Sequence, residues 1–237
     1  QAIAREQNFR MNVPARSLRL RQSRTIGFVT PAYTPAFLSQ EDVFGQGIVD
    51  GVGRGLHALG YDLLMIHGSA DDPHWAQTYL DSGRVDGFIL MASGNRPEQV
   101  QNLVEMEAPF IAWGIPVPGY NYCSVTGDNV NGGQLAARHL LQQGRRRIAF
   151  LGGPATEQTV QYRYQGFESA LLAAGQRLQR SRVAYGDYTH ASGISAMQQL
   201  LTAAPDLDAV FVNSDLMAIG AIQALQAQGR RVPQDVA

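Results

Sequence analysis

Residues 125–154 read VTGDNVNGGQLAARHLLQQGRRRIAFLGGP, and the order of signals within them decides the fold. Leu135, Ala136, His139 and Leu140 share one face of a helix over 129–143, which Gly144 stops. The segment RRRIAFLGG that follows is an apolar strand, and a second helix over 161–174 comes next, ended by Gly175. Helix, strand and helix in close succession is the repeating unit of a parallel α/β sheet.

The same alternation extends in both directions. Downstream come a short strand, SRVAYG, a helix near 191–203, the strand LDAVFVN and a helix over 215–228 ended by Gly229. Upstream, TIGFVT at 25–30 reads as a buried strand. Val43, Ile48, Val52, Leu56 and Leu59 then mark a helix closed by Gly60. Next are the strand YDLLMIHG, a helix from Pro73 to about Leu80, the strand VDGFILM, a helix from Pro97 to about Met106 and the strand PFIAWG. Two tandem βα arrays result, each a doubly wound parallel sheet, with the changeover near YCSVTGDN. The terminal VPQDVA follows a helix where the pattern calls for another strand, so the second lobe is expected to be incomplete in this sequence. Two like lobes facing each other commonly hold a ligand in the cleft.

Composition narrows the function classes. The 237 residues are 45% hydrophobic and 16% charged, enough apolar content for one large or two modest cores. No window reaches the apolar length of a membrane span, and the opening QAIAREQNFR lacks the apolar core of a secretory signal. Cys123 is the only cysteine, which excludes an internal disulfide and fits a cytoplasmic location. Charge is distributed unevenly. Residues 1–24 carry six arginines against Glu6, a net +5; with −1 for the whole chain, the remainder is −6. A basic arm on an acidic globule suits a polyanion, though a solvated tail has the same composition.

Enzyme motifs are missing. FLGGP at 150–154 follows a strand but is not GxGxxG, GVGRG at 51–55 lies inside a helical pattern, and the chain has no lysine for a phosphate loop. The five histidines show no HExxH or other close ligand pairing, and no GxSxG elbow occurs. No nucleophile, base and orienter can be nominated together, so no catalytic residue, metal or cofactor is expected.

The N-terminal stretch NVPARSLRLRQS, residues 12–23, reads differently. Pro14 suits the first turn of a short helix with Asn12 as its cap, and such a helix is marginal in water by itself. AIAREQNFRMNVPARSLRLRQSRTIGFVTP resembles the junction of lactose-repressor (LacI/GalR) family regulators, where a hinge helix of pattern N-x-x-A-x-x-L joins the DNA-binding headpiece to the sensor. Asn12, Ala15 and Leu18 match that pattern. The run 125–154 resembles the family's DN-x-x-G-x-x-A-x-x-H-L-x-x-x-G stretch through Asp128, Asn129, Gly132, Ala136, His139, Leu140 and Gly144. RYQGFESAL at 163–171, FVNSDLMAIGAIQAL at 211–225 and the closing VPQDVA are also similar, so the resemblance spans nearly the whole chain.

The resemblance implies a periplasmic-binding-protein-like (type I) sensor. Residues 1–24 are the end of the headpiece plus the hinge, 25–128 the N-terminal lobe and 129–237 the C-terminal lobe, with most of the headpiece and the C-terminal return absent. It implies a dimer on a pseudo-palindromic operator. Leu18 is the apolar wedge between base pairs, and Arg16, Arg19 and Arg21 lie beside phosphates with Asn12 and Ala15 shaping the hinge. For the effector, Arg163 matches the ligand-binding arginine, whose fork suits vicinal hydroxyls or a carboxylate. Asp128 accepts from sugar hydroxyls or caps the helix at 129. Asn213 ends a strand, and Asp215 beside it binds ligand or caps the next helix. Tyr188 matches an aromatic position that stacks on a sugar face, and Tyr33 and Phe44 in the long first loop either do the same or pack in the core. Trp75 and Trp113 read as structural aromatics.

The implied function is a transcriptional regulator, a repressor, whose operator affinity is controlled by a small molecule, foremost a mono- or disaccharide. A periplasmic sugar-binding protein for transport shares the lobes, but such a protein has no use for NVPARSLR ahead of its first strand.

Overall fold

The computed structural model describes residues 22–30, 43–67, 72, 74–91 and 97–237. The hinge positions Asn12, Ala15, Arg16, Leu18, Arg19 and Arg21, and Tyr33 of the first loop, lie outside the described residues. The chain divides into two compact units: among the described residues the first takes 22–30, 46–91 and 97–124, and the second takes Val125–Ala237 together with 43–45.

The first unit alternates β1 (Thr25–Thr30), α1 (Val43–Ala58), β2 (Asp62–His67), α2 (Trp75–Asp81), β3 (Gly87–Met91), α3 (Pro97–Glu105), β4 (Phe110–Trp113) and β5 (Cys123–Val125). Its sheet has the order β2-β1-β3-β4-β5, with β1 parallel to both β2 and β3 and β3 parallel to β4. Parallel strands covered on both faces read as continuous apolar runs, and β3 (GFILM) is buried along most of its length. Val29, Ile66, Phe88, Leu90, Val100 and Leu103 form the core. Trp75 packs into it with its ring 5.0 Å from that of Phe88, edge to face.

The second unit continues with α4 (Asn129–Gln142), β6 (Ile148–Gly152), α5 (Gln158–Ala173), a 3₁₀ turn (Arg180–Arg182), β7 (Val183–Tyr185), α6 (His190–Ala203), β8 (Ala209–Val212) and α7 (Asp215–Ala227). Its sheet has the order β7-β6-β8, all parallel, with the wholly buried β6 in the centre. The helix ends follow the sequence signals. Gly144 takes φ +80, a left-handed conformation that costs an L-residue, and its N–H and that of Arg145 reach back to Leu141 and Leu140. At the end of the chain, Val236 is buried in the core, while Val210 N–H donates to the Ala237 carbonyl and Ala237 N–H to that of Asp208, beside β8.

Two differences from the sequence expectations have simple causes. The changeover YCSVTGDN contains the strand β5, three residues long and too short to show periodicity. Helix α5 begins at Gln158, a turn earlier than its expected start at 161, because the two residues that open it, Gln158 and Thr159, are polar.

Helix pairs in the second unit meet through glycine. A Cβ at Gly133 of α4 would overlap the Arg163 carbonyl, and one at Gly166 of α5 would overlap that of Val130. In α6 and α7, a Cβ at Gly193 would strike Met217 and one at Gly220 the His190 carbonyl. Backbones therefore approach closely at both pairs, which brings the helix starts together at the C-terminal ends of the strands.

Candidate functional site

In open α/β sheets ligands bind outside the carboxyl ends of strands, where the strand order switches direction. In the second unit that point lies between β6 and β8, and two residues singled out from the sequence, Arg163 and Asn213, meet there. Arg163, in the second turn of α5, donates from Nε to Asn129 Oδ1 at 2.9 Å and from Nη1 to the Asn213 carbonyl at 2.9 Å. One guanidinium thus joins the start of α4 to the end of β8. The Gly133–Gly166 approach makes that reach possible.

Asn213 follows β8 directly and is 7% exposed. Its backbone is committed, the N–H to Leu151 O at 3.0 Å and the carbonyl to Arg163. Its side-chain Oδ1 and Nδ2 are buried with no hydrogen-bond partner among the described residues. A buried amide left unpaired costs about 1–3 kcal/mol, so the arrangement suits a ligand group that both donates and accepts.

The two aspartates divide their roles. Asp128 is the N-cap of α4, accepting from Asn131 N–H at 3.0 Å, and remains exposed. Asp215 does not cap α7; Ser214 does, accepting from Met217 N–H at 3.3 Å, and Asp215 occupies the first turn.

Tyr188 has φ +69, a left-handed conformation rare for an aromatic residue and a form of strain that clusters at functional sites. Its ring lies against Gly153, where any Cβ would overlap it, and its hydroxyl donates to Glu157 Oε2 at 2.9 Å. Sequence reasoning missed Glu157. It sits at the N-cap position of α5 without capping it, and is 7% exposed. Burial pushes its carboxyl above the usual range, opposed by the bonds from Tyr188 and Thr159 and by the Arg163 charge. Burial and the neighbouring Glu157 carboxylate raise the Tyr188 hydroxyl in turn. Asp187, just ahead, is held below the usual carboxylate range chiefly by the Thr189 hydroxyl, which donates to it at 2.6 Å. The signal that marks Glu157 is an acid directly after an apolar strand and a Gly-Gly turn, in PATEQ.

Within the first unit, Thr30 ends β1 buried, its hydroxyl 3.1 Å from His67 Nδ1. Phe44 is 60% exposed in the first turn of α1, which excludes core packing. Trp113, read as a structural aromatic, ends β4 with 36% exposure, unlike the buried Trp75.

A two-unit parallel α/β protein with polar side chains gathered at strand ends defines a binding-protein architecture. Residues 23–237 match the model for periplasmic binding proteins and the sugar-binding domain of the LacI family, and the chain belongs to that family. It is 38% identical to the HTH-type transcriptional regulator CelR of Thermobifida fusca over 95% of this chain and 67% of that protein. It is 31% identical to the ribose operon repressor of Escherichia coli (strain K12), over 100% of this chain and 71% of the repressor. With the HTH-type transcriptional repressor PurR of Yersinia enterocolitica it shares 32% identity, over 99% of this chain and 68% of PurR. The solved CelR–cellobiose complex superposes with a TM-score of 0.81 at 36% identity, covering 94% of this chain and 70% of that one. These relatives are transcriptional regulators, which favours the regulatory reading over the transport one. No described helix is long and apolar enough to cross a membrane.

Proposed function

We propose that the chain is the hinge and effector-sensing part of a cytoplasmic transcriptional repressor that acts by binding and not by catalysis. A homodimer holds operator DNA through a headpiece and the hinge residues Asn12, Ala15, Arg16, Leu18 and Arg19. Residues 25–128 and 129–237 form the sensor lobes. The effector is a mono- or disaccharide. Arg163 and Asn213 supply hydrogen bonds to vicinal hydroxyls, Asp128 and Asp215 accept from others, and Tyr188, Tyr33 and Phe44 provide aromatic surface.

One observation carries the reading: the buried, unpartnered Asn213 amide beside the Arg163 guanidinium, at the strand ends of a chain 38% identical to CelR. Cellobiose, present in the solved CelR complex, is the first compound to try. Calorimetry of the full-length protein with cellobiose, ribose and nucleobases tests the site, and a gel shift on operator DNA with and without the binder tests the coupling. Sugar binding that leaves operator affinity unaltered would refute the regulatory reading.

A further inference from the structure

We infer that the effector is uncharged, and that the second unit is built to reject phosphorylated sugars and other anions; this rests on the effector reading above. The starts of α4, α5, α6 and α7 gather at the C-terminal end of the sheet, each with N–H groups that have no partner within the helix and with a positive dipole end. Such ends are ready-made anion sites. Here each already has a carboxyl group of the protein. Asp128 caps α4, Glu157 stands at the N-cap position of α5, and Asp215 lies in the first turn of α7. Ahead of α6, Asp187 accepts from both the N–H and the hydroxyl of Thr189, itself the cap of that helix.

Against these four carboxyl groups stands Arg163. Two of its three nitrogens are committed, to Asn129 and to the Asn213 carbonyl. Other arginines of this unit stand at the opposite end of the sheet, where the guanidinium groups of Arg145, Arg147 and Arg182 bond Asp206, Asp208 and nearby carbonyls. The carboxyl ends of the strands thus carry four carboxyl groups against the one guanidinium of Arg163, whereas at the strand starts the acids Asp206 and Asp208 are paired with arginines. Among the described residues, the buried polar atoms left unsatisfied at the acidic end are neutral: the Asn213 amide, 7% exposed, with a donor and an acceptor both unpartnered, and Oε1 of Gln158 at the start of α5. An amide of this kind matches an alcohol hydroxyl, which also donates and accepts. A phosphate offers only charge and acceptors, and would meet like charge on every helix start.

The test is calorimetry on the full-length protein with matched pairs: cellobiose and its 6′-phosphate, glucose and glucose 6-phosphate, ribose and ribose 5-phosphate. The neutral member of whichever pair binds is expected to bind about tenfold or more tighter, because like-charge juxtaposition is costly. That ratio is expected to shrink at high salt and in Asp187→Asn. A phosphorylated member that binds as tightly as its neutral partner, or a ratio indifferent to salt, would overturn the inference while leaving the effector reading intact. Binding of no pair by the folded protein would overturn the effector reading itself.

Discussion

The Arg163 guanidinium and the Asn129 side chain meet at 2.9 Å because two helices touch where neither has a Cβ. The contact between α4 and α5 therefore serves both packing and site geometry. A methyl group at Gly166 must displace the Val130 carbonyl, whereas one at Gly132 has nothing within 4 Å. Gly166→Ala is expected to destabilise the protein by about 1–3 kcal/mol through overpacking. Gly132→Ala is expected to stabilise it by about 0.5–1 kcal/mol, the helix-interior cost of glycine. Urea denaturation of the two variants checks both signs, and destabilisation by both would remove the close approach as the cause.

Arg163→Ala removes two bonds from a charged donor and leaves the Asn213 carbonyl without it. The lost charge-assisted bond to a ligand hydroxyl is worth about 2 kcal/mol, roughly a 30-fold loss of sugar affinity. Arg163→Lys should recover little, since an ammonium lacks the fork that spans Asn129 and Asn213. Calorimetry with the sugar that binds the wild type measures this, alongside a thermal melt. Unchanged affinity in a folded variant would place Arg163 outside the effector site.

Much of the fold was legible because its signals repeat. Apolar strands alternate with helices closed at Gly60, Gly144, Gly175 and Gly229, and each of these four glycines has a positive φ. Arg163, Asn213 and Asp128 were legible through motif resemblance, and all three stand at the carboxyl end of one sheet. Other features were opaque for physical reasons. The resemblance picks out Gly132, yet Gly133 makes the close contact, because motif matching cannot see which helix face is turned inward. Glu157 carries no periodicity, and the hydroxyl that bonds it belongs to Tyr188, 31 residues away. That Ser214 and not Asp215 caps α7 is decided by backbone register, a one-residue difference that propensity cannot resolve.

Leu18 lies outside the described residues, but its proposed role gives a separable outcome. An apolar wedge unstacks a base step and stabilises a bent duplex, so its loss should cost specific binding more than phosphate contact. Leu18→Ala in the full-length protein is expected to weaken operator binding by about tenfold or more while sugar affinity stays within about twofold. Fluorescence anisotropy on operator and scrambled DNA, paired with calorimetry, measures the split. Equal losses in both activities would contradict a hinge that acts on DNA alone.

Glu157 makes the stability of the second unit depend on pH in an unusual direction. Its carboxyl is raised in the folded protein, mainly by burial, so between its ordinary value and its raised one the folded state holds more protons than the unfolded state. Stability from this group is fully present below the ordinary carboxylate range and is lost as pH rises through the raised value. Glu157→Gln keeps an acceptor for the Tyr188 hydroxyl and cannot ionise. The variant should therefore gain stability over the wild type near neutral pH, and the gain should fade as the pH is lowered into the ordinary carboxylate range. Asp187 works oppositely, since its lowered carboxyl contributes stability above the ordinary range and loses it as pH falls. Comparing variant with wild type at each pH cancels that contribution. A gain that does not vary with pH would show that the ionisation of Glu157 costs the fold nothing.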